Sequence, residues 1–345
     1  MEETTHRVHV ADARDVPLAA DSVDLVVTSP PYPMIEMWDD VFAGLDPGVG
    51  DALTDGDGER AHDLMHAVLD DAWREVARVL RPGGIAVVNV GDATRSLDRF
   101  RVYDNHARVT ETLVDLGLDP LPGVLWRKPT NSAAKFMGSG MVPPNAYVTL
   151  EHEHVLVFRN GDRREFEPGA DRRYESAYFW EERNTWFSDV WTDLNGAPQA
   201  LADPGLRERS AAFPLELPYR LVNMYSVRGD TVLDPFWGTG TTSLAAAVAG
   251  RSSVGVETDP ALAAAFDDRI REAPGLSRDL AADRLAAHRA FVAETDGDDL
   301  AYEAEHYDTP VRTDQERHLR LYEVADVTET ADGWRATHRP YDPDG

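Results

Sequence analysis

A chain of 345 residues, 42% of them hydrophobic, has room for one large α/β domain with additions or for two domains, and no run approaches the roughly 20 apolar residues of a membrane span. Its 62 acidic residues against 34 basic ones give a net charge of −28, with Lys128 and Lys135 the only lysines, while eight Trp and eleven Phe exclude a disordered acidic chain. Such charge opposes nucleic acid at low ionic strength but little in molar salt, where the Debye length is about 3 Å; the lack of cysteine excludes disulfides, thiolate metal sites and a cysteine nucleophile.

The N-terminus is acidic and polar, without the pattern of a signal peptide, which points to the cytoplasm. Residues 8–11 read as a short strand, followed by Asp12-Ala13 and a polar turn. Residues 23–28 form a mostly apolar run, typical of a strand covered on both faces. It runs into Thr28-Ser29-Pro30-Pro31-Tyr32. Two consecutive prolines fix φ and remove two backbone donors, and the residue before each is pushed away from helix. The expected result is a stiff, extended turn at the carboxyl end of a strand, with carbonyls that no ladder satisfies. That turn suits a planar group bearing an NH2: a carbonyl and the Ser29 hydroxyl accept its hydrogens while the Tyr32 ring stacks. Residues 33–60, rich in Asp and Gly, read as a long loop over this turn.

Residues 62–80 are helical, with Met65, Leu69, Trp73, Val76 and Leu80 on one stripe, and Arg81-Pro82-Gly83-Gly84 stops the helix. Residues 85–90 are the next buried strand, and 102–116 a helix ending at Gly117. Residues 121–150 contain no Asp or Glu yet carry Arg127, Lys128 and Lys135, which suits a surface facing phosphate as well as a covered segment. Residues 154–158 form a strand; His152 and His154 alternate along it and read as structural, and no metal-ligand cluster is visible. Residues 159–183 mix Arg163, Arg164, Arg172 and Arg173 with aromatics, a composition that suits base reading and ordinary loop packing equally. Residues 214–225 are a helix. Beyond about Gly275 the chain is helical, then strongly acidic over 294–308, and 319–340 resembles a hairpin around Ala331-Asp332-Gly333.

The second anchor is residues 231–242, a strand, a glycine turn and a helix start, with the helix stopping at Gly250 and the next strand ending at Glu257. A βαβ unit with a Gly-rich first turn and an acid roughly 20 residues on is the layout of a nucleoside-binding site, the carboxylate taking the ribose hydroxyls. No Lys follows the glycines, which argues against a phosphate-gripping P-loop.

Together these residues resemble the amino-directed DNA methyltransferases that use S-adenosylmethionine. Asp234-Pro235-Phe236-Trp237-Gly238-Thr239-Gly240-Thr241-Thr242 is similar to their cofactor motif and Thr28-Ser29-Pro30-Pro31-Tyr32 to their catalytic motif. The catalytic motif comes first, the order of the circularly permuted beta class. Val10-Ala11-Asp12-Ala13 matches a segment whose acid sits near the cofactor's adenine. Phe213-Pro214, Leu217-Pro218 and Tyr225-Ser226 match the segment before the cofactor strand; Arg209-Ser210 stand where the family often has a His, so no role is transferred there. The resemblance covers about residues 8–160 and 209–260.

It implies a Rossmann-like α/β fold, with a mixed, mostly parallel sheet and helices on both faces. The methyltransferase domain would span 1–158 plus 209–275, a target-recognition region 159–208, and an acidic extension 276–345. Ser29, Pro30, Pro31 and Tyr32 would be catalytic. Asp12, Asp234, Phe236, Gly238, Thr239, Gly240, Thr241 and Glu257 would hold S-adenosylmethionine. Double-stranded DNA would meet Arg127, Lys128, Lys135, Arg163, Arg164, Arg172 and Arg173, with no metal required. The protein would be a monomer or homodimer, and a partner restriction endonuclease is not determined. Without cysteine the covalent route to cytosine C5 is closed, leaving cytosine N4 or adenine N6. Ser29 at the first motif position resembles the cytosine-N4 enzymes, whereas adenine enzymes usually carry Asp or Asn. The acid-rich, lysine-poor composition resembles that of extreme halophiles, and haloarchaeal-looking relatives include enzymes that modify CTAG. An RNA or protein-amide methyltransferase, or a DNA-binding homologue without catalysis, are the rival readings.

Overall fold

The computed structural model describes residues 2–128, 137–138, 141–194 and 213–344. Ten strands join in one sheet: β1 (Glu2–Val10), β2 (Val23–Thr28), β3 (Leu80–Val90), β4 (Leu118–Arg127), β5 (His152–Asn160), β6 (Val190–Trp191), β7 (Thr231–Asp234), β8 (Ser252–Glu257), β9 (Tyr322–Thr330) and β10 (Gly333–Pro340). Their order is β6-β4-β5-β3-β2-β7-β8-β1-β10-β9. The central run β3-β2-β7-β8-β1 is parallel throughout. Parallel neighbours need crossovers, so helices cover both faces and all five carboxyl ends lie along one edge.

That layering explains the apolar runs. All six residues of β2 are buried. Val26 of β2 and Val88 of β3 pack under the helices α3 (Gly58–Val79) and α4 (Asn105–Asp115). Leu25, Val27 and Val87 pack on the other face with Leu217 and Leu221 of α6 (Glu216–Tyr225). Met65, Leu69, Trp73 and Val76 form the buried stripe of α3, as their spacing required, whereas Leu80, read as the last residue of that stripe, is buried as the first residue of β3, which starts there and not at 85.

Several elements differ from expectation. Residues 33–60 are not one loop: α1 (Asp39–Leu45) and α2 (Pro47–Thr54) form there, and α3 already begins at Gly58. Two of the aspartates that read as loop signals, Asp46 and Asp57, are caps. The Asp46 side chain accepts from the Gly48 N–H and Asp57 from the Arg60 N–H, each satisfying a first-turn donor. Phe100–Tyr103 is a strand rather than a helix start. β1 has nine residues because it has two partners. His6–Val10 run parallel to β8, while Glu2–His6 pair antiparallel with β10. The C-terminal hairpin therefore widens the main sheet, and the long helix α9 (Ala273–Glu294) packs behind it. The helices between these are α5 (Trp180–Trp186), α7 (Thr241–Val248) and α8 (Pro260–Ile270).

β5 runs antiparallel to β3. It starts at the edge where the parallel strands end and delivers residue 161 onward to the opposite edge, where Asn160 Nδ2 donates to the Leu80 carbonyl at 2.7 Å. Among the described residues no helix is long and apolar enough to cross a membrane.

Candidate active site

The carboxyl ends of β1, β2, β7 and β8 surround a cavity of about 550 Å³. Ser29, Pro30, Pro31 and Tyr32 form one wall; Asp234, Phe236, Gly238, Thr239 and Thr241 form another; Asp12 and Glu257 complete it. The two sequence anchors thus meet because their strands, β2 and β7, are neighbours in the sheet. Trp38 and, from α1, Val41 and Leu45 lie along the mouth, Val41 and Leu45 with their side chains well exposed. Phe213 closes the cavity from the segment before α6. Among the described residues no hydrogen bond reaches the Pro30 carbonyl.

The acids at the rim are held by neighbours. Glu257 Oε2 accepts from the Gly238 N–H and Oε1 from the Asp259 N–H, both at 2.8 Å. Asp12 takes Arg14 Nε at 3.0 Å and Nη2 at 2.7 Å, and those bonds hold its carboxyl below the usual range. Arg14 is a site neighbour that sequence reasoning missed, although its spacing from Asp12 was visible.

The glycines divide in role. Gly238, at φ +57°, lines the cavity, and no atom lies within 3.9 Å of where its Cβ would stand. Gly240 does not line it. A Cβ there would strike Phe266 and Trp237, and its φ of +75° strains any other residue, so it is a packing glycine. Trp237 lies flat against Gly255 of β8, where a Cβ would overlap the indole, and its Nε1 donates to Ser243 Oγ at 2.8 Å.

Asp234 links the two anchors. Thr28 Oγ1 donates to its Oδ1 at 2.6 Å and the Phe236 N–H at 3.1 Å, while Thr242 Oγ1 donates to the Val27 carbonyl. Burial pushes the Asp234 carboxyl up to about 6 in spite of these donors.

Tyr32 is held at its hydroxyl. It donates to Glu153 Oε2 at 3.1 Å and accepts from Asn89 Nδ2 at 2.9 Å, and Ser29 Oγ is also 2.9 Å away. Asn89 donates to the same Glu153 oxygen, and Lys128 Nζ donates to the other at 2.8 Å. Since Tyr32 gives its one proton to Glu153, the Ser29 contact must run from Ser29 to Tyr32. The Ser29 oxygen is left as an acceptor. Burial, then the Glu153 charge, push the Tyr32 phenol well above its ordinary value, so it stays protonated. The ring rests on Gly91, where a Cβ would come within 3.1 Å.

The expected DNA contacts scatter. Lys128 is tied to Glu153, and Arg127 lies 3.5 Å from Glu151; both are at the cavity edge, where the chain leaves β4 and re-enters at β5. Lys135 lies outside the described residues. Arg164 pairs with Asp230 at 2.6 Å and Asp24 at 3.0 Å, and Arg172 with Asp230 at 3.5 Å. Asp24 and Asp230 stand at the amino ends of β2 and β7, so both arginines sit on the edge opposite the cavity. Arg173 lies over the Phe166 ring at that edge, and Arg163 beside them is exposed. The antiparallel run of β5 carries 161–175 there, so the first part of the expected recognition region 159–208 lies on the edge opposite the cavity.

Two histidines and an acid also meet near the cavity edge. Asp92, His106 and His154 bring one oxygen and two ring nitrogens within 4.8 Å of one another, near enough to share a cation. His106 Nδ1 lies 2.8 Å from Asp92, and bonds from both imidazoles hold the Asp92 carboxyl down to about 2 in spite of its burial. The three residues are too far apart in sequence to show as a motif.

The family model for DNA methylases of the N6/N4 type matches residues 23–267. The Type II methyltransferase M.MthZI of Methanothermobacter thermautotrophicus is 50% identical over 325 residues, 93% of this chain and 91% of that one. The Type II methyltransferase M.MjaI of Methanocaldococcus jannaschii is 45% identical, covering 77% of this chain and 91% of its own. Among solved structures, the putative DNA modification methylase TTHA0409 of Thermus thermophilus, in complex with S-adenosyl-L-methionine, superposes with a TM-score of 0.60 at 34% identity, over 78% of this chain and 94% of that one.

Proposed function

The chain belongs to the N6/N4 family of DNA methylases and uses S-adenosylmethionine, and from that premise we propose that it methylates the N4 amine of a cytosine turned out of duplex DNA. The observation that carries this reading is Ser29. Its oxygen is kept as an acceptor by the Glu153–Tyr32 chain, beside a Pro30 carbonyl that has no other partner among the described residues.

The cavity fits the cofactor. Its volume of about 550 Å³ falls in the range of small-molecule sites, and Gly238 leaves an open approach. Glu257 is positioned for ribose hydroxyls, Asp12 for the adenine, and Asp234, Phe236, Thr239 and Thr241 line the wall. When bound, the cofactor supplies an electrophilic methyl on a cationic sulfur.

The amine of a pyrimidine ring is a poor nucleophile because its lone pair is delocalised. The base leaves the stack at a cost of a few kcal/mol, and Tyr32 stacks on it. Ser29 Oγ and the Pro30 carbonyl accept the two amine hydrogens, which turns the nitrogen lone pair toward the methyl. After transfer, the surplus proton passes to Ser29 Oγ as Ser29 passes its own to Tyr32, and Tyr32 its own to Glu153.

The order of the two motifs supports the permuted beta arrangement. The acid-free segment between β4 and β5 supports a DNA-facing surface at the cavity edge, with CTAG as the proposed target. The acidic, lysine-poor composition supports work in concentrated salt inside a halophile's cytoplasm. The test is long-read modification calling, in a form that separates N4-methylcytosine from N6-methyladenine, on DNA from a host with and without the gene. New N4-methylcytosine at one short motif is expected. N6-methyladenine instead would overturn the choice of base. No mark at all, with the pure protein binding cofactor in molar salt, would point to RNA or protein.

A further inference from the structure

A second, smaller cavity lies at the amino-terminal edge of the sheet, the side away from the proposed reaction. It measures about 30 Å³ and is lined by four arginines, Arg228, Arg251, Arg284 and Arg320. Such a concentration of cations is unexpected in a chain of net charge −28. Two of them are almost fully enclosed, Arg228 at 3% exposure and Arg251 at 2%.

Their carboxylate partners are too few. Arg284 is bidentate to Glu182, with Nη2 at 2.8 Å from Oε2. Arg320 stands 3.7 Å from Glu175, and Arg228 Nη2 reaches Glu2 at 2.5 Å. Arg251 bonds neutral groups only: the Ser226 hydroxyl and carbonyl, Asn223 Oδ1 and the Ala249 carbonyl. The next carboxylate, Asp230, is occupied by Arg164 and Arg172. Arg251 is thus a buried cation with no carboxylate bonded to it.

Donors are left over as well. Nε and Nη1 of Arg228 are buried and bond nothing, and the guanidinium is fixed with its carbon 2.9 Å over the Tyr322 ring. Burial, with Arg228 and Arg284 adding repulsion, brings Arg251 down to about 9. Burial, and then the charges of Arg228 and Arg251, bring nearby His338 down to about 4. A buried cation with neither counter-charge nor full hydrogen bonding is costly.

We infer that this cavity holds a monovalent anion of chloride size, which accepts from the free Arg228 donors and neutralises the excess charge. The space suits a small anion. A water would take the hydrogen bonds but leave the charge. The walls come from both parts of the chain, Arg228 and Arg251 from the sheet connections and Arg284, Arg320 and Tyr322 from the C-terminal extension. The anion therefore ties the extension to the core.

The test is thermal unfolding of the full chain at pH 7 and constant ionic strength, exchanging potassium glutamate for potassium chloride. Glutamate, as an excluded anion, stabilises generally, so a non-specific effect runs the other way. Expected is a saturable rise in Tm with chloride, roughly 5 °C at a hundredfold excess over its dissociation constant, absent in Arg228→Met. Crystals soaked in bromide should show anomalous density within reach of Arg228 Nε, and this decides the matter if the variant does not fold. A Tm that does not rise with chloride, or a cavity without bromide, overturns the inference.

Discussion

Replacing Thr28 by valine keeps the shape of a buried side chain and removes the hydroxyl that donates to Asp234 at 2.6 Å. Asp234 is 3% exposed, and its carboxyl sits at about 6 against 3.8 for the free group. A raised acid favours the fold fully below 3.8, and that advantage is lost as pH rises through about 6. A hydrogen bond to a charged group contributes about 1.5–3 kcal/mol and a neutral one about 0.5–1.5 kcal/mol. The deletion therefore costs roughly 1 kcal/mol more once Asp234 is ionised, which shifts its titration up by about one unit. Urea unfolding at constant salt should show Thr28→Val destabilised by about 1 kcal/mol at pH 4.5 and about 2 kcal/mol at pH 8. The carboxylate faces the cavity of a cationic cofactor, so affinity should follow the same proton. S-adenosylmethionine binding, measured by calorimetry, should weaken as pH falls through about 6 in the wild type and through roughly 7 in the variant. Equal destabilisation at both pH values, with the midpoint of binding unmoved, would refute the claim that the Thr28 hydroxyl sustains this charge.

Glu153→Gln keeps the shape but lets the side chain donate, so the direction of the Ser29–Tyr32 bond is no longer imposed. Single-turnover methylation should slow roughly 10- to 100-fold, with cofactor affinity unchanged; a matching loss of affinity would contradict a role confined to Tyr32 and Ser29. Gly255→Val should drive Trp237 from its seat, destabilise the fold by about 1–3 kcal/mol in urea and weaken cofactor binding at least about tenfold. Cofactor affinity that stayed at the wild-type level would show the indole has other room. Arg164→Ala strips one partner from Asp230 and Asp24, whose side chains are 1% and 5% exposed, and since Arg172 and Arg81 stay beside them it should cost about 1–3 kcal/mol by thermal unfolding. DNA affinity of the folded protein should not change in fluorescence anisotropy, and a clear drop would return Arg164 to the DNA surface.

What was legible in the sequence is what depends on neighbours in sequence. The double proline after a mostly apolar run specified a stiff turn at a strand end. The strand, glycine turn, helix and Glu257 specified a βαβ unit, whose Gly238 and Glu257 line one cavity, and the order of the two motifs carried the family resemblance. The stripe from Met65 to Val76 specified a buried helix face. Even here, glycine had two meanings, since Gly238 opens the cavity while Gly240 only makes room for Phe266 and Trp237. Asp46 and Asp57 looked like loop and served as caps, because a cap and a turn use the same side-chain bond to backbone.

The tertiary structure alone decided everything that joins residues far apart in the chain. Thr28 and Asp234 are 206 positions apart, and Tyr32 and Glu153 are 121 apart. Neither pair has any local pattern, and each exists because β2 lies beside β7 and β5 beside β3. Strand direction decided the fate of the basic residues in the same way. An antiparallel β5 leaves Lys128 and Glu153 at the cavity and carries Arg164 and Arg172 to the far edge. Local periodicity fixes which face of a strand is buried, but the order and direction of strands follow from how all the buried faces are covered at once, and only the folded chain holds that information.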